Sequence, residues 1–547
     1  MHENIASLLE AVADAVAAVE PGRTALVHGE RSVTWPQFDD RAARLAGYLA
    51  AAGVAAGDRV GIALYNSPEY LETFAAALKL RAVPVNVNYR YRETELEQVL
   101  GYVDVRALVA DASLAGPAAA VAERLPGLRA VVVAGGEAPD AAGYEDALAA
   151  ASPVARQDRS GGDQVLLLTG GTTGAPKGVV WESAGVVGVV SSAFRRAGLP
   201  VPRDRAELVA AARGAVASGT APVVLPASPL MHGTGFFMAL GNLLRGGRVV
   251  TLPGRTLDPA VLWSAVEQHR VEELAIVGDA FAVPLLAELD RAAVAGRPYD
   301  LGSLRRVVSS GVRWSAEVKR RLLRTGRMTL QDSIAATEGG PFGVSLVGPD
   351  PDSVTPNFAL GPNARVLGPD GRDVEPGSGE IGVLAATGAL PLGYLDAPEL
   401  TAAVFREIDG VRYAVPGDQA TIEADGTLTL LGRGAGVINT GGEKVFAEEV
   451  EQVLVEHPGV AEAVVVGLPD DRWGSRVTAL VVPASGAELR EQELADHVGR
   501  RLAGYKRPRS LFVVGEVQRT VSGKVDRRRA LERAVELAGP GGAPPAG

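Results

Sequence analysis

Apolar and polar positions along the chain switch repeatedly between a helical period and short strand-like runs. Residues 38–52 carry apolar side chains at helical spacing, residues 59–64 read as a strand, and residues 68–80 as a second helix that Asn66 or Ser67 caps. Residues 83–87 follow as a strand. Further apolar runs at 130–133, 223–225, 248–252 and 306–308 repeat this rhythm. Strands alternating with helices predict a parallel or mixed sheet with helices on its faces. Val165-Leu166-Leu167-Leu168 is continuously apolar, the pattern of a strand buried on both faces. Towards the C-terminus, 427–431 and 463–467 read as strands and 448–457 as a helix.

The run at 165–168 breaks into Thr169-Gly170-Gly171-Thr172-Thr173-Gly174, a loop almost without side-chain bulk. Glycines let successive backbone N–H groups turn toward one point, and threonines add hydroxyl donors, so the segment suits phosphate oxygens. Lys177 adds a charge just beyond, and Pro176 stiffens the loop. A Walker loop would place the lysine directly after glycine and before a hydroxyl, whereas here Pro176 precedes Lys177 and Gly178 follows. The dinucleotide pattern G-x-G-x-x-G is absent from the loop as well.

Composition narrows the field. A chain of 547 residues is too long for one core, so two or more domains are expected. Hydrophobic content of 47% and charged content of 22% are those of a globular protein. A net charge of −11 argues against a nucleic-acid partner. With no cysteine, disulfides, thiolate metal sites and a cysteine nucleophile are excluded, so any thioester chemistry uses a thiol from outside. Residues 219–244 contain no Asp, Glu, Lys or Arg, but Pro222, Pro226, Pro229 and His232 interrupt them. They read as a buried strand, turn and helix rather than a membrane span. Glu3, Glu10 and Asp14 inside the first apolar stretch do not fit a signal peptide, and a cytoplasmic location is expected. The charged stretch 195–219 is expected at the surface.

The motif T-G-G-T-T-G-x-P-K-G at 169–178 resembles the phosphate loop of the adenylate-forming superfamily, which includes acyl-CoA synthetases, luciferases and peptide-synthetase adenylation domains. Its commonest form has serine where this chain has Gly170. The resemblance assigns nucleotide contacts to Thr169, Gly171, Thr172, Thr173, Gly174 and Lys177. A lone histidine in an apolar segment is usually a core residue, but here the resemblance places His232 in the acyl pocket near the reacting carboxylate. It puts Val277-Gly278-Asp279-Ala280 beside that pocket and Ser310-Gly311 beside the adenine. Asp332-Ser333-Ile334-Ala335-Ala336-Thr337-Glu338 is similar to the family's Tyr-Gly-x-Thr-Glu segment, with Thr337 on phosphate and Glu338 on Mg²⁺. Ile334 stands in place of the aromatic ring and Ala335 in place of the glycine. A carboxylate is the hard oxygen ligand that Mg²⁺ prefers beside substrate phosphates. Asp418 is placed on the ribose hydroxyls, with Arg433 and Lys444 as further nucleotide contacts. Lys524, in Arg519-Thr520-Val521-Ser522-Gly523-Lys524, is similar to the family's catalytic lysine.

The fold this implies is mixed α/β: a large N-terminal domain of packed sheets flanked by helices (1–433) and a small mobile α+β domain (438–537). A hinge at 434–437 joins them, and a Pro/Gly/Ala tail (538–547) is expected to be disordered. The implied activity is ATP-dependent formation of an acyl-adenylate, then thioester formation with CoA. Motif details look most like actinobacterial fatty-acyl- and steroid-side-chain-CoA synthetases. Trp181, Phe236, Phe237 and Phe281 suggest an apolar acid. The alternative is an adenylating enzyme that does not use CoA, either a carrier-protein ligase or a diazotase adenylating nitrite for an aryl amine. A homodimer is left open.

Overall fold

The alternating rhythm resolves into a mixed α/β architecture. The computed structural model describes residues 1–136, 141–170, 176–311, 314–355, 357–433, 437–517 and 526–539, and the calls on the tail beyond 539 lie outside them. Among these residues the strands form three sheets of fifteen, eight and five members. The eight-stranded sheet centres on the parallel strands Arg59–Ala63, Val83–Asn86, Val105–Asp111 and Ala130–Ala134. Helices link them in chain order, as parallel pairing requires. Gln164–Gly170 joins beside Val83–Asn86, and Pro176–Glu182 returns antiparallel against it, so the two strands flank residues 171–175. Val165, Leu166 and Leu167 are buried, as the apolar run predicts.

The fifteen-stranded sheet carries a second parallel set: Thr24–His28, Arg248–Thr251, Val223–Pro226, Glu273–Ile276, Arg306–Ser310 and Thr329–Ala336. Gly339–Val347 then pairs antiparallel and leads into the remaining strands. Residues 219–244 are the buried strand Val223–Pro226 and helix Gly233–Leu243. Thr427–Arg433 is the last strand of this sheet, and Val437–Thr440 is the first of the five-stranded sheet. That sheet has its own core of Val445, Val450, Leu454, Val465, Val477 and Leu494, which makes it a separate small domain.

The helices form where local chemistry favours them. Trp35–Ala51 starts with a capping box between Thr34 and Gln37 and has a proline in its first turn. Ile5–Ala17 is capped by Asn4, whose side chain also donates to Asp163. Glu10, the carboxylate that argued against a signal peptide, is buried on this helix. It pairs with Lys79 at 2.6 Å and Arg159 at 2.8 Å. No helix among the described residues is long and apolar enough to cross a membrane.

Of the two cap candidates, Ser67 holds the N-cap position of helix Pro68–Lys79, without a side-chain capping bond, and Asn66 is engaged elsewhere. One expectation is corrected. Residues 195–219 are not simply a surface insertion. Helix Arg205–Ala217 buries Leu208, Ala212 and Val216, which belong to the same core as helix Ile5–Ala17. Arg196 faces inward. Charges spaced round an amphipathic helix hide its apolar stripe from a composition-based reading.

Candidate active site

A cavity of about 630 Å³ lies at the carboxyl ends of strands Arg306–Ser310 and Thr329–Ala336, where α/β sheets place their ligands. Thr169, His232, Ser310, Gly311, Ser333, Thr337 and Lys444 all line it. The structure therefore gathers into one space residues that are hundreds of positions apart in the chain.

Two asparagines hold the histidine wall. Asn66 Nδ2 donates to the Pro226 and Ser228 carbonyls at 2.7 and 2.9 Å, and its Oδ1 accepts from Leu230 N at 2.7 Å. Asn86 Nδ2 donates to the Met231 carbonyl at 2.6 Å, and its Oδ1 accepts from Leu168 N at 2.5 Å. Asn86 thus ties the segment before His232 to the strand that enters the phosphate loop. An amide has both donor and acceptor, so one side chain satisfies several backbone groups that regular pairing leaves open.

The carboxylate expected to hold metal lies just behind the wall. Glu338 is buried and accepts from Tyr394 OH at 2.5 Å, while its neighbours Thr337 and Gly339 line the cavity. Lys177 sits 6.0 Å from the Tyr394 ring centre, which brings the loop lysine next to the same group. Trp181 Nε1 donates to the Thr337 carbonyl at 3.1 Å and fixes the turn between the two strands. Among the described residues no cluster of three or more His, Cys, Asp or Glu could hold a metal ion. A single carboxylate with a neighbouring hydroxyl matches how Mg²⁺ is held when substrate phosphates supply the other ligands.

The small domain closes one side. Gly442, Glu443 and Lys444 line the cavity together with Tyr505 and Lys506. Arg90 Nη1 donates to Glu443 Oε1 at 2.6 Å, and His232 Nε2 lies 3.5 Å from Glu443 Oε2. Burial alone would raise the Glu443 carboxyl, but the attraction of His232, Arg90 and Lys506 outweighs it and holds the group below the usual range. Lys506 bridges the two domains, reaching Glu95 at 2.7 Å and Glu449 at 2.8 Å. Burial disfavours its ammonium, yet these two carboxylates hold it above its ordinary value.

Comparison with known proteins agrees with this arrangement. Residues 13–395 match the AMP-binding enzyme family, and residues 449–524 match the AMP-binding enzyme C-terminal domain. The chain belongs to the AMP-binding, adenylate-forming enzymes. It is 39% identical over 544 residues to the 3-oxocholest-4-en-26-oate–CoA ligase of Rhodococcus rhodochrous, covering 97% of this chain and 96% of that one. A medium/long-chain-fatty-acid–CoA/3-oxocholest-4-en-26-oate–CoA ligase of Mycolicibacterium smegmatis is also 39% identical over the same coverage. The amide bond synthetase McbA of Marinactinospora thermotolerans shares the fold, with a TM-score of 0.78 at 24% identity over 96% of this chain and 99% of that one. As a member of this family the chain is an ATP-dependent acid–thiol ligase.

Within the adenylate-forming site some expected residues fall elsewhere. Gly171, Thr172, Thr173, Gly174 and Lys524 lie outside the described residues. Asp332 is corrected: strand alternation turns it to the face opposite Ser333, where Lys319 pairs with it at 2.8 Å, so its carboxylate does not reach the cavity. Phe281 is corrected too, since it packs against the core beneath the larger sheet while Trp181, Phe236 and Phe237 line the cavity. Of Val277-Gly278-Asp279-Ala280, Val277 lines the cavity, whereas Asp279 accepts from Ser315 N. Asp418 starts a strand in register with Arg433 and is not among the residues that line the cavity. Asn66, Asn86, Arg90, Glu443 and Tyr394 were not foreseen. The one signal for the asparagines was a polar amide at the end of an apolar strand.

Proposed function

We propose that the protein is an acyl-CoA synthetase that activates an apolar acid with ATP and passes the acyl group to CoA, using two positions of its small domain at one cavity. The observation that carries this reading is the segment 442–444 of the small domain, which lines the same cavity as Thr169 and Thr337. In the first half-reaction a carboxylate oxygen attacks the α-phosphorus, and the bond to pyrophosphate breaks. This brings anions together, so cationic groups must offset the repulsion. Lys524 takes that task, and one unit-charge pair near 4 Å at an effective dielectric of about 20 is worth roughly 4 kcal/mol. Thr169 and Lys177 are assigned to the phosphates, with Glu338 and Thr337 holding Mg²⁺. The metal, when bound, neutralises charge on the departing pyrophosphate. Ser310, Gly311 and Ser333 border the nucleotide, and Asp418, Arg433 and Lys444 remain candidates for it. In the second half-reaction the CoA sulfur attacks the carbonyl carbon, and the bond to AMP breaks.

The position described here is assigned to that second half-reaction, because segment 442–444 enters the cavity with Glu443 against His232 and Gly442 against Val277. The hinge assigned to 434–437 follows strand Thr427–Arg433 of the large sheet and precedes strand Val437–Thr440 of the small one in sequence, and residues 434–436 lie outside the described residues. Next to this segment, Trp473 is flanked by Arg472 and Arg509 at 4.8 and 4.3 Å from its ring centre, and its carbonyl accepts from Gly441 N. A cationic aromatic platform suits the adenine and phosphates of CoA. Trp181, Phe236 and Phe237 give the acid an apolar wall. The named activities of the relatives favour CoA and a fatty or steroid-side-chain acid over a carrier protein or nitrite. A cytoplasmic location and a homodimer complete the proposal, the latter checked by light scattering.

The test is pyrophosphate release across a panel of acids, with mass spectrometry of the products after adding CoA. Release together with acyl-CoA supports the reading. Release with persistent acyl-adenylate in the presence of CoA would overturn the thioester half.

A further inference from the structure

The far end of the cavity is charged, which an apolar acid alone does not explain. Strand alternation puts Ser310, Val308 and Arg306 on one face of strand Arg306–Ser310, and Ser310 and Val308 line the cavity. Arg306 therefore lies about 13 Å from Ser310, four residues at strand rise. There Arg306 Nη2 donates to the Arg196 carbonyl at 2.8 Å, and Arg196 lines the cavity. Helix Gly233–Leu243 starts at His232, and Arg245 just past its end lies 3.6 Å from Glu273, the carboxylate that Arg306 also faces.

Three guanidinium groups, Arg196, Arg245 and Arg306, converge at this end around one buried carboxylate. Glu273 lies 3.6 Å from both Arg245 and Arg306, beyond good hydrogen-bond distance. The neighbouring Glu272 pairs with Arg305 at 3.7 Å. The Nε atoms of Arg196, Arg245 and Arg306 are all buried without a hydrogen-bond partner. Arg196 Nη1 donates to Ser192 Oγ at 2.8 Å. Burial, and then repulsion from Arg306, Arg245 and Arg195, lowers the Arg196 guanidinium from its ordinary value, with Glu273 opposing. Buried donors and uncompensated positive charge are costly unless something accepts from them. Gln331, in register with Val308, adds an amide to the cavity wall.

We propose that this end of the cavity is an acceptor subsite, in which Arg196 hydrogen-bonds an oxygen at the far end of the acid. The preferred substrates are then long acids that carry an oxo or carboxylate group at the end remote from the reacting carboxyl. The inference rests on the acyl-CoA synthetase reading and adds to it the chemistry of the tail.

Three acids of one chain length test it: dodecanoic acid, its analogue with a ketone on the penultimate carbon, and dodecanedioic acid. Wild-type kcat/KM for acyl-CoA formation should favour at least one oxygenated acid over the plain acid by about ten- to a hundredfold, the range of a hydrogen bond to a charged group. The ketone and diacid arms tell a neutral acceptor from an anionic one. Arg196→Met keeps the apolar stem and should collapse the ratio toward one, while Arg196→Lys should retain part of it. A wild-type ratio near or below one, or a ratio unchanged in a folded Arg196→Met variant, overturns the subsite. If no acid yields acyl-CoA, the CoA reading fails separately. Dissociation constants of the matching acyl-sulfamoyl adenosines, measured for both proteins, then still read the tail preference and decide the subsite by the same ratio.

Discussion

Arg90 of the large domain and Glu443 of the small domain form a 2.6 Å ion pair across the interface, with the arginine 40% exposed and the glutamate 6% exposed. His232 faces the second oxygen of the same carboxylate. Solvent screening on the arginine side limits the pair to about 1–2 kcal/mol, roughly tenfold in the population of this position. Arg90→Ala or Glu443→Gln should therefore slow thioester formation from synthetic acyl-adenylate about tenfold and affect adenylation much less. Equal losses in both half-reactions would count against the pair as a domain clamp. The Glu443 carboxyl is depressed on folding, so its contribution is fully present above the ordinary value of 4.5 and is lost as pH falls through the lower folded value. A thioester rate that falls between pH 8 and pH 6 must accordingly arise from another group.

Gly442 has φ of +88°, and a Cβ added there would meet Val277 Cγ1 at 2.7 Å. Both the backbone and the close approach demand glycine. Gly442→Ala should disfavour this domain position and reduce thioester formation by ten- to a hundredfold, about 1.5–3 kcal/mol on the scale of strained-backbone costs. Pyrophosphate release with CoA omitted should stay near wild type. The two half-reactions measured side by side check it, and an unimpaired thioester rate would refute the close contact.

The elements legible in the sequence are those written by local chemistry. The apolar run at 165–168, the helical spacing at 38–52 and the glycine-threonine loop each declare themselves within a short stretch of chain. The resemblance extended this to His232, Thr337 and Lys444, which the fold brings to one cavity. What was not legible depends on contacts between distant residues. Asn86 acts on Leu168, 82 positions away, and Asn66 on Leu230, 164 positions away. Arg196 looked like one more surface charge because its neighbours Arg245 and Arg306 come from other elements. Asp332 and Ser333 differ only in strand parity, and counting from buried Leu330 would have put Asp332 on the same side as that leucine, away from Ser333.

Glu338 supplies a prediction about metal. Its carboxylate is held by Tyr394 OH at 2.5 Å, so the ring orients the carboxylate while Thr337 reaches the cavity. Glu338→Gln should raise the Mg²⁺ concentration needed for half-maximal pyrophosphate release, with partial recovery at high Mg²⁺. Tyr394→Phe removes only the orienting hydrogen bond and should shift the same midpoint by a smaller factor, about three- to tenfold for a bond of ~0.5–1.5 kcal/mol. A Mg²⁺ titration unchanged in Glu338→Gln would remove this residue from the metal site.

Lys524 carries the last prediction. The resemblance gives it the charge that lets carboxylate approach ATP. Arg527, three positions further on, is held on the small domain by Glu451 at 2.6 Å and by the Val465 carbonyl at 3.1 Å. The chain three residues beyond the lysine is thus anchored on the domain whose segment 442–444 lines the cavity here. In the proposed mechanism its charge serves the step that gathers anions, and it has no comparable task when a thiol attacks a neutral acyl carbonyl. Lys524→Ala should lower pyrophosphate release about 10³-fold, the equivalent of losing roughly 4 kcal/mol of transition-state stabilisation. Given synthetic acyl-adenylate and CoA, the same variant should form thioester at a substantial fraction of the wild-type rate. Collapse of both half-reactions in a folded variant would show that Lys524 is not specific to adenylation, and loss of neither would show that the catalytic cation lies elsewhere.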